Sequence, residues 1–223
     1  MREIVLDTET TGLSPDDGHR IVEIACLELV NHVPTRRTFR KYVNPERDMP
    51  EDALGVHGLS EEFLADKPVF GQVAEEFLTF IGEDPLVIHN AEFDLKFLNA
   101  ELAPLGFPSL PGARAVDTLA IARQRYPGAA NSLDALCKRF EIDNSARTYH
   151  GALLDCELLA EVYLELIGGR QPGFQLASAA AERARASERP TRPARPHAAS
   201  EGELEAHAAM LEKLSDPLWR RRS

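Results

Sequence analysis

Ile4-Val5-Leu6-Asp7-Thr8-Glu9-Thr10-Thr11-Gly12-Leu13 is an apolar run that breaks into two carboxylates one residue apart. The run reads as a first strand over 3–7, and in extended backbone positions i and i+2 point to the same side. Asp7 and Glu9 therefore face one spot just beyond the last buried residues. Two oxygen donors aimed at one point suit a hard divalent cation. A strand followed by a polar turn fits the stretch as well, because Asp, Thr and Gly are ordinary turn residues. What the rest of the chain brings to that spot decides between the two.

A second strand is predicted over 21–30 and a third, with alternating apolar and polar residues, over 38–43. The short links between these three suggest an antiparallel meander. A short helix is predicted over 50–56, and Ser60 is placed to cap the turn at 61–64. Val73, Phe77 and Ile81 form one stripe of a helix over 70–81. Beyond it strands alternate with helices. Leu86-Val87-Ile88 reads as a buried parallel strand, followed by a helix carrying Phe97 and Leu98. A strand over 113–116 leads to a helix that begins near Asp117 and ends before Pro127. The next helix starts at 131–134, and the last covers 152–167, stopping at Gly168-Gly169. This order predicts an α/β domain, a mixed five-stranded sheet flanked by helices.

The chain has 223 residues and a hydrophobic content of 43%, enough for one sizeable domain and an appendage. Cys26, Cys137 and Cys156 are odd in number and lack CxxC spacing, so neither a disulfide framework nor a zinc site is expected. A reducing, cytoplasmic setting follows. The N-terminus carries no signal-peptide pattern, and no apolar run approaches a membrane span. The formal charge of −11 opposes a tight unaided grip on nucleic acid, which rests on an excess of Lys and Arg. A polyanionic substrate would need metal ions and a partner to supply the attraction.

Composition shifts after Gly168. Residues 169–202 hold nine Ala, four Pro and six Arg against three Glu, with one Phe and one Leu, too little apolar surface to fold alone. Ser200 and Glu203 have the spacing of a capping box, ahead of Leu204, Ala208, Leu211 and Leu214 on one helical face. Pro217 should end that helix, leaving Leu218-Trp219 and three arginines. A helix this short is marginal by itself, and its apolar stripe suggests a docking peptide. Three segments result: a domain over 1–168, a flexible linker over 169–199 and a short helical tail over 200–223.

Asp94 follows the strand at 86–88, at the sheet edge where open α/β folds place ligands. His150 and Asp155 are five residues apart, which on one helix would separate them by about 140° at ~3.6 residues per turn. His150 is therefore expected in the loop before the helix, with Asp155 in its first turn. Singly, each has a plain structural explanation: Asp94 and Asp155 can complement helix dipoles, and His150 can be a solvated loop residue. Four carboxylates and a histidine at element ends are together a candidate metal-dependent site.

Asp7-x-Glu9, His89-Asn90-Ala91-x-Phe93-Asp94 and His150-x-x-x-x-Asp155 resemble the three motifs of the DEDDh 3′→5′ exonucleases, which share a ribonuclease H-like fold. Val56-His57-Gly58, Val116-Asp117-Thr118-Leu119-Ala120 and the stretch from Asn131 to Cys137 resemble, more closely, the epsilon family of proofreading subunits of bacterial DNA polymerase III. The likeness covers roughly 2–167 and resumes in the last twenty or so residues. It implies hydrolysis of the 3′-terminal phosphodiester of DNA with two Mg²⁺ or Mn²⁺ ions, releasing nucleoside 5′-monophosphates. Asp7 would bridge both ions, Glu9 and Asp155 would hold the one that activates water, and Asp94 would support the second. His150, with an ordinary pKa of about 6.5, would take the water's proton. Thr8, Thr11, Gly12, His57, Asn90 and Phe93 would meet the terminal nucleotide, Phe93 being equally explicable as a core aromatic.

The tail, through Leu211, Leu218 and Trp219, is similar to the segment by which that family binds the polymerase catalytic (alpha) subunit. Gln171, Phe174 and Leu176 are similar to a sliding-clamp peptide, a signal of low specificity. A small theta-like subunit is a further implied partner, and the implied setting is the nucleoid-associated replisome. Two other functions are compatible with the residues: a free-standing DEDDh exonuclease acting on RNA or single-stranded DNA, and a non-catalytic subunit that stabilises a polymerase.

Overall fold

The structure, a computed structural model, describes residues 1–145, 149–169 and 198–215. The chain divides into two units, Met1–Phe174 and Gln175–Ser223. In the first, β1 (Arg2–Thr10), β2 (Ile21–Val30) and β3 (Val33–Tyr42) form the expected antiparallel meander. On the other side of β1, β4 (Leu86–Ile88) and then β5 (Ala115–Asp117) add in parallel, giving the order β3-β2-β1-β4-β5. The mixed five-stranded sheet is as predicted.

Helices cover both faces, which is why the central strands read as nearly continuous apolar runs. Ile4 and Leu6 of β1 join Ile24 and Cys26 against α3 (Phe70–Ile81) and α4 (Ala91–Leu102). Val5, Ala25 and Val87 turn to the opposite face, under α5 (Thr118–Arg125), α6 (Leu133–Phe140) and α7 (Ala152–Leu166). Two short helices, α1 (Glu51–His57) and α2 (Glu61–Leu64), fill the link from β3 to α3. Starts are set by side chains at the residues anticipated: Ser60 accepts from Phe63 N at 3.2 Å, Asp117 from Leu119 N at 2.9 Å and Ser132 from Ala135 N at 3.3 Å.

Three strands differ in their bounds from expectation; β5 starts at Ala115 rather than at 113, because Gly112–Arg114 forms a 3-10 turn. β1 does not end at Asp7: it runs on to Thr10, so Glu9 as well as Asp7 lies inside it, opposite Glu23 and Ala25 of β2. The antiparallel ladder runs on to Thr10, whereas the parallel pairing with β4 involves only Ile4 and Val5. The acids therefore sit where one neighbour has stopped and the other continues, and that asymmetry opens a crevice. β3 begins at Val33 rather than at 38, because Asn31 (φ 53°) and His32 (φ 65°) make a two-residue turn of the kind that joins twisted strands. No Gly marks that turn in the sequence.

In the second unit α8 (Glu201–Glu212) begins at Ser200 with the predicted capping box, Ser200 N donating to Glu203 Oε2 at 2.8 Å. Leu204 and Met210 are exposed and Leu211 is half-buried; Leu214 falls beyond the helix rather than on its face. Gln171, Phe174, Leu176, Pro217, Leu218 and Trp219 lie outside the described residues. No helix among the described residues is long and apolar enough to cross a membrane.

Candidate active site

Asp7, Glu9, Asp94, His150 and Asp155 line one cleft of about 710 Å³. Single donor atoms of Glu9, His150 and Asp155 lie within 4.8 Å of one another. His150 Nδ1 is 3.6 Å from Asp155 Oδ2. Asp7 and Asp94 line the same space, with Asp134 of α6 a further acid there, so the five predicted side chains come to it from four parts of the chain.

Each arrives for a local reason. Asn90, in the left-handed region (φ 72°), turns the chain sharply between β4 and α4. That turn brings Asp94, in the first turn of α4, over β1, where its Oδ1 accepts from Thr8 N at 3.0 Å and from Thr8 Oγ1 at 2.7 Å. Burial pushes the Asp94 carboxyl up to about 7, the Thr8 bonds work against the rise, and Asp117 adds to it. Asp155 is buried in the first turn of α7, and His150 stands in the loop before it with its side chain about half exposed (47%), as the spacing predicts. His150 N donates to Val56 O at 3.0 Å, docking the loop on α1. Gly58 helps here: at φ 71° it caps α1, and a Cβ there would lie 3.2 Å from the Tyr149 ring.

The predicted substrate residues gather around this cleft and an adjoining one of about 510 Å³, which share Thr8, Glu9 and Phe93. Asn90 lines the first; Thr11, Gly12 and His57 line the second. The fully buried Thr11 hydroxyl is already engaged, accepting from Arg20 N at 3.0 Å and lying 3.1 Å from His19 Nδ1. The Thr11 amide donates to Arg20 O at 2.9 Å, so any contact this residue makes with a ligand falls to its carbonyl oxygen. Gly12 is required by the same histidine, since a Cβ would sit 2.4 Å from the His19 ring. His57 is buried and accepts from Leu59 N through Nδ1 at 3.0 Å; burial lowers its pKa, which keeps the ring neutral. Phe93 packs on Phe97, ring centroids 5.1 Å apart, and borders both clefts.

Sequence reasoning quotes His89 within a motif without giving it a role, and leaves out Arg123. His89 lines the main cleft with its Nδ1 2.9 Å from Thr118 Oγ1, and burial lowers its pKa. Its position at the end of a parallel strand was the available signal. Arg123 is the one Arg or Lys among the described residues lining that cleft, and nothing in its helical surroundings marks it in the sequence.

Such a site can hold hard cations beside a bound phosphate. The chemistry of its donors fits: four carboxylates, one driven by burial toward holding a proton, are relieved by positive charge. The profile of the exonuclease family (RNase_T) matches residues 4–163, and the chain is an exonuclease of that family, with a ribonuclease H-like fold and divalent-metal use. It is similar to exonuclease X, solved in complex with 5′ overhanging duplex DNA, with TM-score 0.59 and 28% identity over 74% of this chain and 90% of that one. It is similar in fold to the nuclease domain of 3′hExo, a DEDDh family member bound to rAMP, with TM-score 0.64 and 20% identity over 74% and 91%. The DNA polymerase III subunit epsilon of Rickettsia felis is 57% identical over 185 residues, 82% of this chain and 81% of that relative. The chain belongs to the DNA polymerase III epsilon subunits, 3′→5′ proofreading exonucleases.

Proposed function

We propose that the chain removes nucleotides from the 3′ end of DNA as the proofreading subunit of a replicative polymerase, with Asp7, Glu9, Asp94 and Asp155 holding two divalent cations, Mg²⁺ or Mn²⁺. The observation that carries this reading is the convergence of Glu9, His150 and Asp155 within 4.8 Å in a cleft that Asp7 and Asp94 also line. Bound there, the cations supply an activated water and neutralise the charge of the reacting phosphate. His150, beside Asp155, would accept the proton of the attacking water at a ring nitrogen. Thr8 orients Asp94, and the backbone at Thr11 and Gly12, with His57, Asn90 and Phe93, borders the space for the terminal nucleotide.

The charge of −11 supports a partner-assisted enzyme. Unpairing a 3′ end costs a few kcal/mol, less at a mismatch, so the substrate's own fraying supplies selectivity. In this reading, domain 1–168 is tethered through 169–199 to a tail over 200–223 that binds the polymerase alpha subunit through Leu211, Leu218 and Trp219. Gln171, Phe174 and Leu176 would meet a sliding clamp, a theta-like subunit would bind the domain, and the whole would work in the cytoplasmic, nucleoid-associated replisome. Tethering replaces intrinsic affinity with an effective concentration of up to the millimolar range. The test is digestion of a 3′-mismatched primer with Mg²⁺, with and without the polymerase subunit. Release of nucleoside 5′-monophosphates, faster with the subunit and absent in Asp155→Ala, is expected; an Asp155→Ala protein that cuts normally sinks the site assignment.

A further inference from the structure

Helix α7 carries Asp155 and begins directly after His150, yet it lacks the side-chain cap that usually serves a helix start. Its N-cap is Gly151, which has none to offer. The first amide of the helix is met from elsewhere: Ala152 N donates to Glu23 Oε2 at 3.3 Å, across 129 positions of sequence. Glu23 is 1% exposed and stands directly opposite Glu9 in the β1/β2 register. Its other oxygen accepts from Arg40 Nε at 2.6 Å. Arg40 in turn lies over the Tyr42 ring, 4.8 Å to the centroid, and donates to the Tyr42 hydroxyl. Tyr42 is the β3 partner of Glu23 in register.

We infer that Glu23, held by Arg40, is a positioning residue that fixes the start of α7 and so sets His150 and Asp155 against Glu9. Both of its oxygens have protein donors, Ala152 N on one and Arg40 Nε on the other. The arrangement is economical in connectivity. One strand pair bears Glu9 directly and, through Glu23, restrains the segment bearing the other two members of the close group. A carboxylate at a helix N-terminus also complements the helix dipole, and Arg40 offsets the cost of burying it. Without it the Ala152 amide, on a residue with no exposed surface, loses its partner. The first turn of α7, which carries Asp155, would then fray.

This inference rests on the two-metal reading for its catalytic arm but not for its structural one. Glu23→Gln, Glu23→Ala and Arg40→Leu are compared with the full-length wild type, and with Glu28→Gln as control. Glu28 lies on the same strand and bonds Arg2 and Arg37, away from the site. For the Glu23 variants kcat on a single-stranded oligonucleotide should fall roughly 10–100-fold with KM near wild type, the usual scale for residues behind metal ligands. Mn²⁺ affinity by calorimetry without substrate should weaken, and amide exchange at 152–155 in metal-free protein should quicken. Glu23→Gln, which keeps one acceptor oxygen, should retain more activity than Glu23→Ala, and Glu28→Gln should change none of the three. Wild-type kcat, Mn²⁺ affinity and exchange in Glu23→Gln and Arg40→Leu, with only a lowered Tm, would overturn the inference. A wild type that binds no Mn²⁺ would overturn the two-metal reading instead, and exchange at 152–155 would still judge the role of Glu23.

Discussion

His150 contributes through position. It stands outside α7, its backbone tied to Val56 and its ring beside Asp155, so it can reach a proton without being part of a rigid helix. His150→Ala should lower the hydrolysis rate by roughly 10²–10⁴, the usual worth of a general base, and remove the corresponding limb of the pH–rate profile. A variant with a wild-type profile and little loss would exclude it as the base. Asp94 has a different signature. Burial raises its carboxyl to about 7, above an unfolded value of about 3.9. Between those values the folded protein keeps a proton that the unfolded chain releases, so this contribution to stability is complete below about pH 4 and is lost as pH rises through about 7. Asp94→Asn keeps an oxygen for the Thr8 donors. In urea titrations with EDTA it should therefore fall less in stability than wild type between pH 5 and pH 8, while hydrolysis is lost. Equal losses in the two proteins would show that Asp94 is ionised throughout.

At the scale of elements, β1 is held from one side by the helices whose stripe the sequence displays. Phe77 of α3 is fully buried in the cluster that contains Ile4 and Leu6, the residues that root the strand bearing Asp7 and Glu9. Phe77→Ala should cost about 3–5 kcal/mol, read as a lowered urea midpoint with an unchanged m-value; a cost below 1 kcal/mol would mean that the cluster repacks without it. Helix positions were legible because apolar spacing and capping residues are local signals, as at Ser60, Asp117 and Ser132. Strand limits were less so. Whether Thr8 to Thr10 is strand or turn depends on how far β2 keeps pace with β1, and the Asn31-His32 turn depends on backbone conformations that neither residue announces.

At the scale of the whole chain, the proposed function places catalysis and delivery in separate segments. A chain ending at Gly169 should still digest single-stranded DNA with Mn²⁺, yet bind the polymerase subunit far more weakly than the full chain in a calorimetric titration; equal binding would dismiss the tail. By itself the sequence determined the α/β class, the helix faces and the element ends at which the cleft-lining acids stand, because these rest on residue type and short-range spacing. His150 and Asp155 were even assigned their places from the turn of a helix. Tertiary structure alone decided which groups are free to act. It gave the Thr11 hydroxyl to Arg20 N, set the His19 ring where a Cβ at Gly12 would fall, and raised the Asp94 carboxyl by burial. It also brought Glu23 to a helix 129 positions away. Contacts between distant segments leave no local pattern in a chain, and burial, which sets both hydrogen-bond partners and pKa, exists only once those segments have packed.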